Sequence, residues 1–387
     1  MTTQVLWRSG HVLSVARAWS AVRELVVELD QPAAARVVLP PAGAAEPESR
    51  QVLALAYLPL VGAPEPGDRV LLTVGALARG LGTGGYAMVV ALPDRLPADP
   101  PPSPGHLVKG RYMPLQAMVL GVDEQDSPHH AVLRDADDLG GLPVVVADLH
   151  SALPAVVAGI RTRQPAARVV YVMTDGGALP AWFSRTLAAL REAGWVAGSV
   201  TVGQAFGGDV EAVTLHSGLL AARHVLRADL VVVAQGPGNL GTGTRWGFSG
   251  VACGEAVNAV GTLGGHAVAS LRVSDADLRP RHRGVSHHSV TAYGRVALLP
   301  ADVVVPDLPG DLGADVLAAA RLLCTPHGRH RLVEQPLDGL MDALRGCPVT
   351  LSTMGRRLDD DAPAFLSPAA AGRYAATLVT QAPRQVP

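Results

Sequence analysis

Four near-continuous apolar runs, separated by stretches long enough for helices, constrain the fold of this chain more than any other feature. The runs cover residues 143–147, 167–173, 228–234 and 267–273. Strands that are covered on both faces have this composition, and the segments 182–193 and 247–263 have the length of helices between them. The pattern predicts a doubly wound, Rossmann-like parallel-sheet α/β domain over residues 141–305.

The N-terminal part has a different pattern, in which short apolar runs alternate with turn residues. These runs cover residues 23–29, 35–39, 51–57, 68–73 and 86–90. Such spacing predicts a small all-β, barrel-like module over residues 1–105, followed by a connecting segment over 106–140. Residues 306–387 contain helical stretches, which predict a helical extension packed on the α/β domain. The expected fold class is therefore mixed α/β.

Charge and cysteine content exclude several classes of protein. The 387 residues carry a formal charge of −2, so the chain lacks the basic footprint of a protein that binds nucleic acid or a membrane surface. Cys253, Cys324 and Cys347 show no C-x-x-C spacing, which argues against a disulfide framework or a zinc ribbon. With no leader and no membrane span evident, we expect the protein in the cytoplasm.

Polar residues collect where the predicted strands end, which is the edge at which α/β sheets bind ligands. Catalytic candidates are Asp175, after the second strand, and His282 and His287, in the segment 274–289 after the last strand. Histidine titrates near neutral pH and is the commonest metal ligand. The metal-ligand candidates are Asp148, His150, His288 and His130. Because His287 and His288 are adjacent, an extended backbone would point them to opposite sides, and we expect at most one to be a ligand.

A glycine-rich run predicts anion binding. Residues 236–241 fit G-x-G-x-x-G after a strand, where backbone N–H groups can approach a phosphate at a helix N-terminus. The candidate anion ligands are Gly236, Gly238, Asn239, Gly241, Arg281, Arg283 and Lys109. NAD is not expected, because residues 80–85 fit the same expression inside the β module and no acidic residue stands at the required offset.

Two simpler interpretations remain open for these residues. The glycine run can be a tight turn, and the histidines can form a structural hydrogen-bond network. The cofactor is therefore undetermined, with a divalent ion such as zinc, manganese or iron as the candidate.

Seven ordered segments resemble a known family. They cover residues 80–86, 105–112, 124–130, 173–180, 203–209, 235–244 and 281–288. Together they are similar to the uncharacterised bacterial family catalogued as domain of unknown function 3866, over nearly the whole chain. The resemblance implies no reaction and no catalytic residue.

These features favour a cytosolic hydrolase or group transferase that acts on a small anionic or nucleotide-like metabolite at the strand ends. The alternative is a non-catalytic metabolite sensor or scaffold, from which the enzyme differs by turnover. The expected partner is a small anionic metabolite, and a homodimer remains open.

Overall fold

The computed structural model describes residues 5–33, 50–81 and 84–379. The predicted fold class is confirmed, because a closed five-stranded barrel precedes a large parallel sheet with helices. The predicted run 35–39 lies outside the described residues. The chain forms two compact units. Met1–Ser103 with Gly110–Ala117 make the first, and Pro104–Lys109 with Met118–Pro387 make the second.

The first unit is a barrel closed in the order β1-β2-β3-β5-β4. Its strands are β1 (Trp7–Trp19), β2 (Val22–Leu29), β3 (Gln51–Tyr57), β4 (Arg69–Thr73) and β5 (Ala87–Ala91), with short helices α1 (Leu58–Val61) and α2 (Gly75–Ala78). β3 and β5 are parallel, and the other pairs are antiparallel. Two register shifts bend β1, which pairs with both β2 and β4 and so helps to close the barrel.

The second unit is built on an eight-stranded, fully parallel sheet in the order β11-β10-β9-β12-β8-β13-β16-β17. After the barrel the strands are β6 (Leu107–Lys109), β7 (Ala117–Val119), β8 (Pro143–Val146), β9 (Val169–Thr174), β10 (Gly198–Thr201), β11 (Val210–Glu211), β12 (Leu230–Gln235), β13 (His266–Ser270), β14 (Val273–Ser274), β15 (Gly284–Val285), β16 (Asp302–Pro306), β17 (Arg331–Gln335), β18 (Ser352–Thr353) and β19 (Arg356–Arg357). The four apolar runs of the sequence form the four central strands, β9, β12, β8 and β13.

Helices cover this sheet. They are α3 (His130–Leu133), α4 (Leu153–Arg161), α5 (Arg185–Glu192), α6 (Leu215–His224), α7 (Ala252–Thr262), α8 (His287–Thr291), α9 (Gly310–Arg321), α10 (Leu340–Arg345) and α11 (Pro363–Thr377). α4, α10 and α11 pack on one another, and α6 packs on α7. Within the described ranges, no helix combines the length and the apolar character needed to cross a membrane.

Two glycines allow α4 and α11 to approach closely. A Cβ atom at Gly159 would lie 1.9 Å from the carbonyl oxygen of Ala369, and one at Gly372 would lie 2.0 Å from that of Val156. Neither position can carry a side chain at this separation. The contact buries α11 along nearly its whole length.

The part of the chain after residue 306 differs from the expected helical extension. Besides α9, α10 and α11 it contributes β17, which pairs with β16 at the edge of the sheet. Arg331 and Glu334 are exposed on this strand, so its short and partly polar sequence lacks the apolar run of a central strand.

The strand order changes direction around β8. The chain leaves β8 for β9 on one side, returns to β12 between them, and continues to β13 on the other side. The carboxyl ends of β12, β8 and β13 are therefore neighbours at a topological switch point, where open α/β sheets bind ligands. Gln235 ends β12, Asp148 follows β8, and Arg272 follows β13.

Candidate functional site

A charged network holds the histidine-rich segment in place. The carboxylate of Asp277 accepts two hydrogen bonds from the Arg279 guanidinium, at 2.9 and 2.7 Å, and one from Arg356 at 3.3 Å. Arg356 also donates to Asp361 at 2.9 Å, and Asp361 accepts the Ser274 hydroxyl at 2.6 Å. The bond from Arg279 holds the pKa of Asp277 well below its usual range. These residues tie the loop after β14 to the hairpin β18–β19 and to the start of α11.

Three histidines converge on one point. His282 ends a short 3₁₀ turn, and His287 and His288 begin α8. The ring centroids lie 5.0 Å apart for His282 and His287, 4.9 Å for His282 and His288, and 4.5 Å for His287 and His288. One ligand nitrogen from each ring lies within 4.8 Å of the others, and no other such group of three occurs in the described part of the chain.

The expectation that His287 and His288 lie on an extended segment, on which at most one could be a ligand, does not match the backbone found here. Ser286 caps α8 by accepting the backbone N–H of His288 at 3.2 Å, so the two histidines lie on a helical turn and not on an extended segment. Successive residues of a helix are rotated by about 100°, and their rings can face a common point.

Hydrogen bonds orient the imidazoles. His288 Nδ1 lies 2.9 Å from Asp148 Oδ2. In the tautomer with the proton on Nδ1, His288 donates to this carboxylate and Nε2 keeps a lone pair; in the other tautomer, Nδ1 accepts from Arg272 Nη1 at 3.2 Å. His282 Nδ1 lies 2.8 Å from the Ser286 hydroxyl, and Nε2 of His287 is buried with no hydrogen-bond partner in the described structure.

Burial favours the neutral form of two of the three histidines. It lowers the pKa of His282 to about 3, with a further contribution from the charges of Arg272 and Arg279. Burial also lowers the pKa of His287, as do His288 and Arg281 nearby. The lone pairs of these two imidazoles are therefore available to a metal ion at neutral pH.

Three imidazoles backed by a carboxylate make a ligand set suited to zinc and related divalent ions. Tetrahedral coordination at about 2.1 Å places ligand nitrogens about 3.4 Å apart, so small ring rotations would close the cluster around an ion. The residues present fit a metal ion.

Phe248 and Gly250 complete the wall of the cluster. The Phe248 ring stacks on His288 with centroids 3.8 Å apart and planes 10° apart, and meets His287 edge-on at 5.7 Å. A Cβ atom at residue 250 would lie 1.6 Å from Asp148 Oδ1, so only glycine leaves room for this carboxylate.

Gln235 joins the ends of two neighbouring strands. Its Nε2 donates to the carbonyl oxygen of Asp148 at 2.8 Å and to Asn239 Oδ1 at 3.0 Å. Asn239 also accepts the hydroxyl of Ser249 at 2.7 Å. The predicted anion ligand Asn239 therefore connects β12 to the turn that precedes α7.

The glycine run 236–241 lies in a different context from the one expected. Gly241 bridges to Phe248, which makes a hairpin between the run and the start of α7. The N–H groups of Gly236 and Leu240 already donate within the protein. A Cβ atom at Gly236 would lie 2.3 Å from the carbonyl oxygen of Ala178, so this glycine permits close packing of two loops. These contacts correspond to the tight turn, and the chain does not continue from the run directly into a helix, since α7 begins at Ala252.

The other predicted anion ligands, two glycines and two arginines, lie at different distances from the histidines. Gly238 and Gly241 are exposed, and Gly238 has a φ of 95°. Arg281 lies beside Gly243 of the hairpin and close to His287. Arg283 is exposed and faces Asp275 at 3.6 Å. The structure brings Arg281, but not Arg283, to the histidines.

Lys109 is a buried structural residue instead of the anion ligand we expected. Its Nζ lies 3.0, 2.8 and 2.9 Å from the carbonyl oxygens of Thr201, Ala205 and Ala212, and 2.9 Å from the carboxylate of Glu211. Three N–H groups meet four acceptors, so none is left for an anion.

His150 is also structural. Its Nδ1 lies 3.0 Å from the Tyr171 hydroxyl and its Nε2 lies 2.7 Å from the Ser184 hydroxyl. Burial lowers the pKa of His150 to about 4, and both ring nitrogens are engaged. The structure therefore leaves no lone pair of His150 for the metal role that we predicted.

His130 and Asp175 lie apart from the cluster as well. His130 contacts the carbonyl oxygen of Asp123 at 2.8 Å in the segment before the sheet. Asp175 is exposed at the end of β9, where it accepts the backbone N–H of Gln204 at 2.8 Å. β12 separates β9 from β8, so Asp175 does not join Asp148.

The sequence analysis missed several residues that shape the site. They are Gln235, Phe248, Gly250, Arg272 and Ser286. Arg272 Nη1 lies 3.3 Å from Asp148 Oδ2 and 3.2 Å from His288 Nδ1. A signal for it existed, because Arg272 is the one charged residue within the apolar run 267–273.

Comparison with known proteins gives one match. No curated protein and no solved structure matches the chain. A family model described as "Protein of unknown function (DUF3866)" matches residues 53–372, which is most of the chain. The resemblance found in the sequence is thereby confirmed, and the chain belongs to the DUF3866 family.

Proposed function

We propose that this protein is a metal-dependent hydrolase of a small anionic metabolite, with a divalent ion of the zinc class held by His282, His287 and His288. The observation that carries the proposal is the convergence of three imidazoles, one of which has a buried Nε2 without a partner among the described residues. A buried polar atom without a partner costs stability, and such atoms in native proteins commonly serve a ligand.

The surrounding residues have separate roles in this proposal. Asp148 fixes the tautomer and the orientation of His288. Arg272 balances the charge of Asp148, and Phe248 excludes water from one face of the cluster. Arg281 is an exposed cation beside the histidines, suited to attracting an anionic substrate. A bound ion would supply Lewis acidity and activate water for attack on the substrate.

Metal analysis of the protein, purified without chelators, tests the proposal. We expect about one zinc-class ion per chain, lost in His287→Ala and kept in His327→Ala, a matched change at an exposed histidine outside the cluster. Less than a tenth of an ion per chain after incubation with zinc, manganese or iron(II) would contradict it.

Turnover then separates the hydrolase from a sensor. Hydrolysis of phosphate esters, carboxylic esters or amides should disappear on chelation and return on adding zinc. A protein that binds the ion, responds to an anion by thermal stabilisation and hydrolyses none of these would instead be a metal-dependent sensor.

A further inference from the structure

A pocket lies at the amino edge of the parallel sheet, where β13, β16 and β17 begin. Its volume of about 380 Å³ is within the range of sites that bind small molecules. The first residues of these strands and the turn before β17 form its wall, and the polar lining residues are His266, Asp302, Thr325, Arg329, His330 and Arg331. The histidine cluster lies beyond the carboxyl ends of the strands, so this pocket is a separate site.

Hydrogen bonds hold the turn that forms one side of the pocket. His330 is buried, and its Nδ1 accepts the backbone N–H of Ala301 at 3.1 Å, so the ring proton is on Nε2. Nε2 donates to the carbonyl oxygen of Tyr293 at 2.8 Å. The backbone N–H of Thr325 donates to the carbonyl oxygen of His330 at 2.9 Å. The turn is therefore attached to the start of β16, and this side of the pocket is preformed.

The carboxylate in the wall of the pocket is already balanced. Asp302 is the one acidic residue among the described residues that line it. Both of its oxygens accept from Arg331, at 2.6 and 2.5 Å, and Oδ2 also lies 2.5 Å from Nε2 of His266. The charge of Asp302 is therefore neutralised by Arg331, and neither oxygen is left to bind a cationic ligand.

Arg329 adds a positive charge that no carboxylate balances. Its Nη1 donates to the carbonyl oxygen of Ala297, which is neutral, and Arg329 forms no ion pair in the described part of the chain. Burial lowers the pKa of His330, and the charge of Arg329 adds to this effect, so that charge acts on the wall of the pocket. With Asp302 and Arg331 balanced, the pocket has a net positive charge and favours an anion.

The rest of the lining is apolar and comes from Gly265, Ala267, Pro300 and Ala301. Such a wall suits carbon atoms, and a guanidinium binds carboxylate or phosphate groups through its planar fork. We propose that this pocket binds a small organic anion, whose carboxylate or phosphate group pairs with Arg329 and whose carbon skeleton packs on the apolar wall. The pocket is an effector site at the opposite edge of the sheet from the histidines, and the inference does not depend on the proposed hydrolase.

Crystals soaked in 4-bromobenzoate or in 4-bromophenyl phosphate test this assignment, because the anomalous scattering of bromine locates each probe. We expect bromine in the pocket with at least one of the two, and an anionic oxygen within about 3 Å of the Arg329 guanidinium. The neutral 4-bromobenzamide has nearly the same shape as the benzoate and should not bind. Bromine absent from the pocket with both anions, or equal occupancy by the amide, would overturn the proposal.

Calorimetric titration of the same two anions gives a second measurement, with a chelator present so that no ion at the histidines competes for the probe. Arg329→Gln removes the unbalanced charge, and we expect the affinity to fall about fivefold or more. Arg321→Gln, at an exposed arginine outside the pocket, is the matched control and should leave it unchanged. If Arg329→Gln does not fold, Pro300→Phe gives the same test by filling the pocket at an exposed position. Unchanged affinity in a folded variant would overturn the proposal.

Discussion

The two edges of the parallel sheet carry the same three residue types in different states of hydrogen bonding. At the carboxyl edge, His288 and Arg272 both contact Oδ2 of Asp148, and Oδ1 has no partner in the described structure. At the amino edge, Asp302 accepts from His266 at 2.5 Å and from Arg331 at 2.6 and 2.5 Å. Residue type alone therefore does not identify a site.

At the amino edge, the carboxylate of Asp302 is fully hydrogen-bonded. The Tyr374 hydroxyl adds a further bond to Asp302 at 2.7 Å, so both carboxylate oxygens have partners. Burial raises the pKa of Asp302, but the bonds from Arg331, Tyr374 and His266 outweigh burial and lower it to about 2. No buried acceptor of this cluster is left without a partner, whereas the one around Asp148 keeps a buried acceptor without a partner in the described structure.

The largest expected loss of stability concerns Lys109, whose ammonium group is fully hydrogen-bonded near the carboxyl ends of β10 and β11. Lys109→Met removes the partner of buried Glu211 and of three carbonyl oxygens, and should lower the free energy of unfolding by about 3 to 5 kcal/mol. Urea denaturation measures it. A loss below about 1 kcal/mol would show that satisfied hydrogen bonding does not mark a structural residue here.

Asp302→Ala should lower the free energy of unfolding by about 3 kcal/mol, because it leaves Tyr374 and His266 without their hydrogen-bond acceptor next to the Arg331 guanidinium. Asp148→Ala leaves the buried Arg272 guanidinium and His288 without their acceptor, so it should also lower the free energy of unfolding by about 3 kcal/mol in the metal-free protein. A loss below about 1 kcal/mol at either position in the same denaturation assay would contradict a stabilising role for that carboxylate.

Metal affinity should distinguish the two edges. Asp148→Ala deprives His288 of its orienting partner and should weaken zinc binding by about 10- to 100-fold. Asp302→Asn should leave it within about twofold, since that carboxylate lies at the opposite edge. Competition against a chromogenic chelator gives both values, and a similar weakening by the two changes would be evidence against the histidine site.

Lowering the pH should destabilise the cluster around Asp302, with a smaller loss of unfolding free energy than the substitutions above. The pKa of Asp302 is lower in the folded protein than in the unfolded chain, so its stabilisation is complete above about pH 4 and is lost as the pH falls toward 2. Allowing for solvent around the exposed Arg331, about 1 to 2 kcal/mol should disappear over this range. Asp302→Asn should remove that part of the pH dependence of the unfolding free energy. Thermal unfolding measured between pH 2 and 5 checks this.

The sequence predicted the central sheet well because its signal is local. Strands β8, β9, β12 and β13 are buried on both faces, and their composition alone distinguishes them. The edge strand β17 has exposed charges and no such signal. The histidine segment was found for a similar reason, since His282, His287 and His288 lie within seven positions.

The roles of other candidates depend on contacts that no local pattern reports. Lys109 meets acceptors on Thr201, Ala205 and Ala212, far along the chain. His150 is engaged by hydroxyls from two other segments. Hydrogen-bond satisfaction depends on tertiary structure, so residue type and spacing overestimate the number of ligands.

The glycine contact between α4 and α11 has a consequence for how the chain is made. α4 follows the first strand of the sheet. Its partner surface, at Ala369 and Gly372 of α11, emerges from the ribosome only after all the strands of the sheet. The second unit therefore cannot complete its core before α11 has left the ribosome, in contrast to the barrel, whose strands all precede residue 92. A nascent chain arrested before α11 would expose the apolar face of α4, which makes this interval the one in which the protein most needs protection from aggregation.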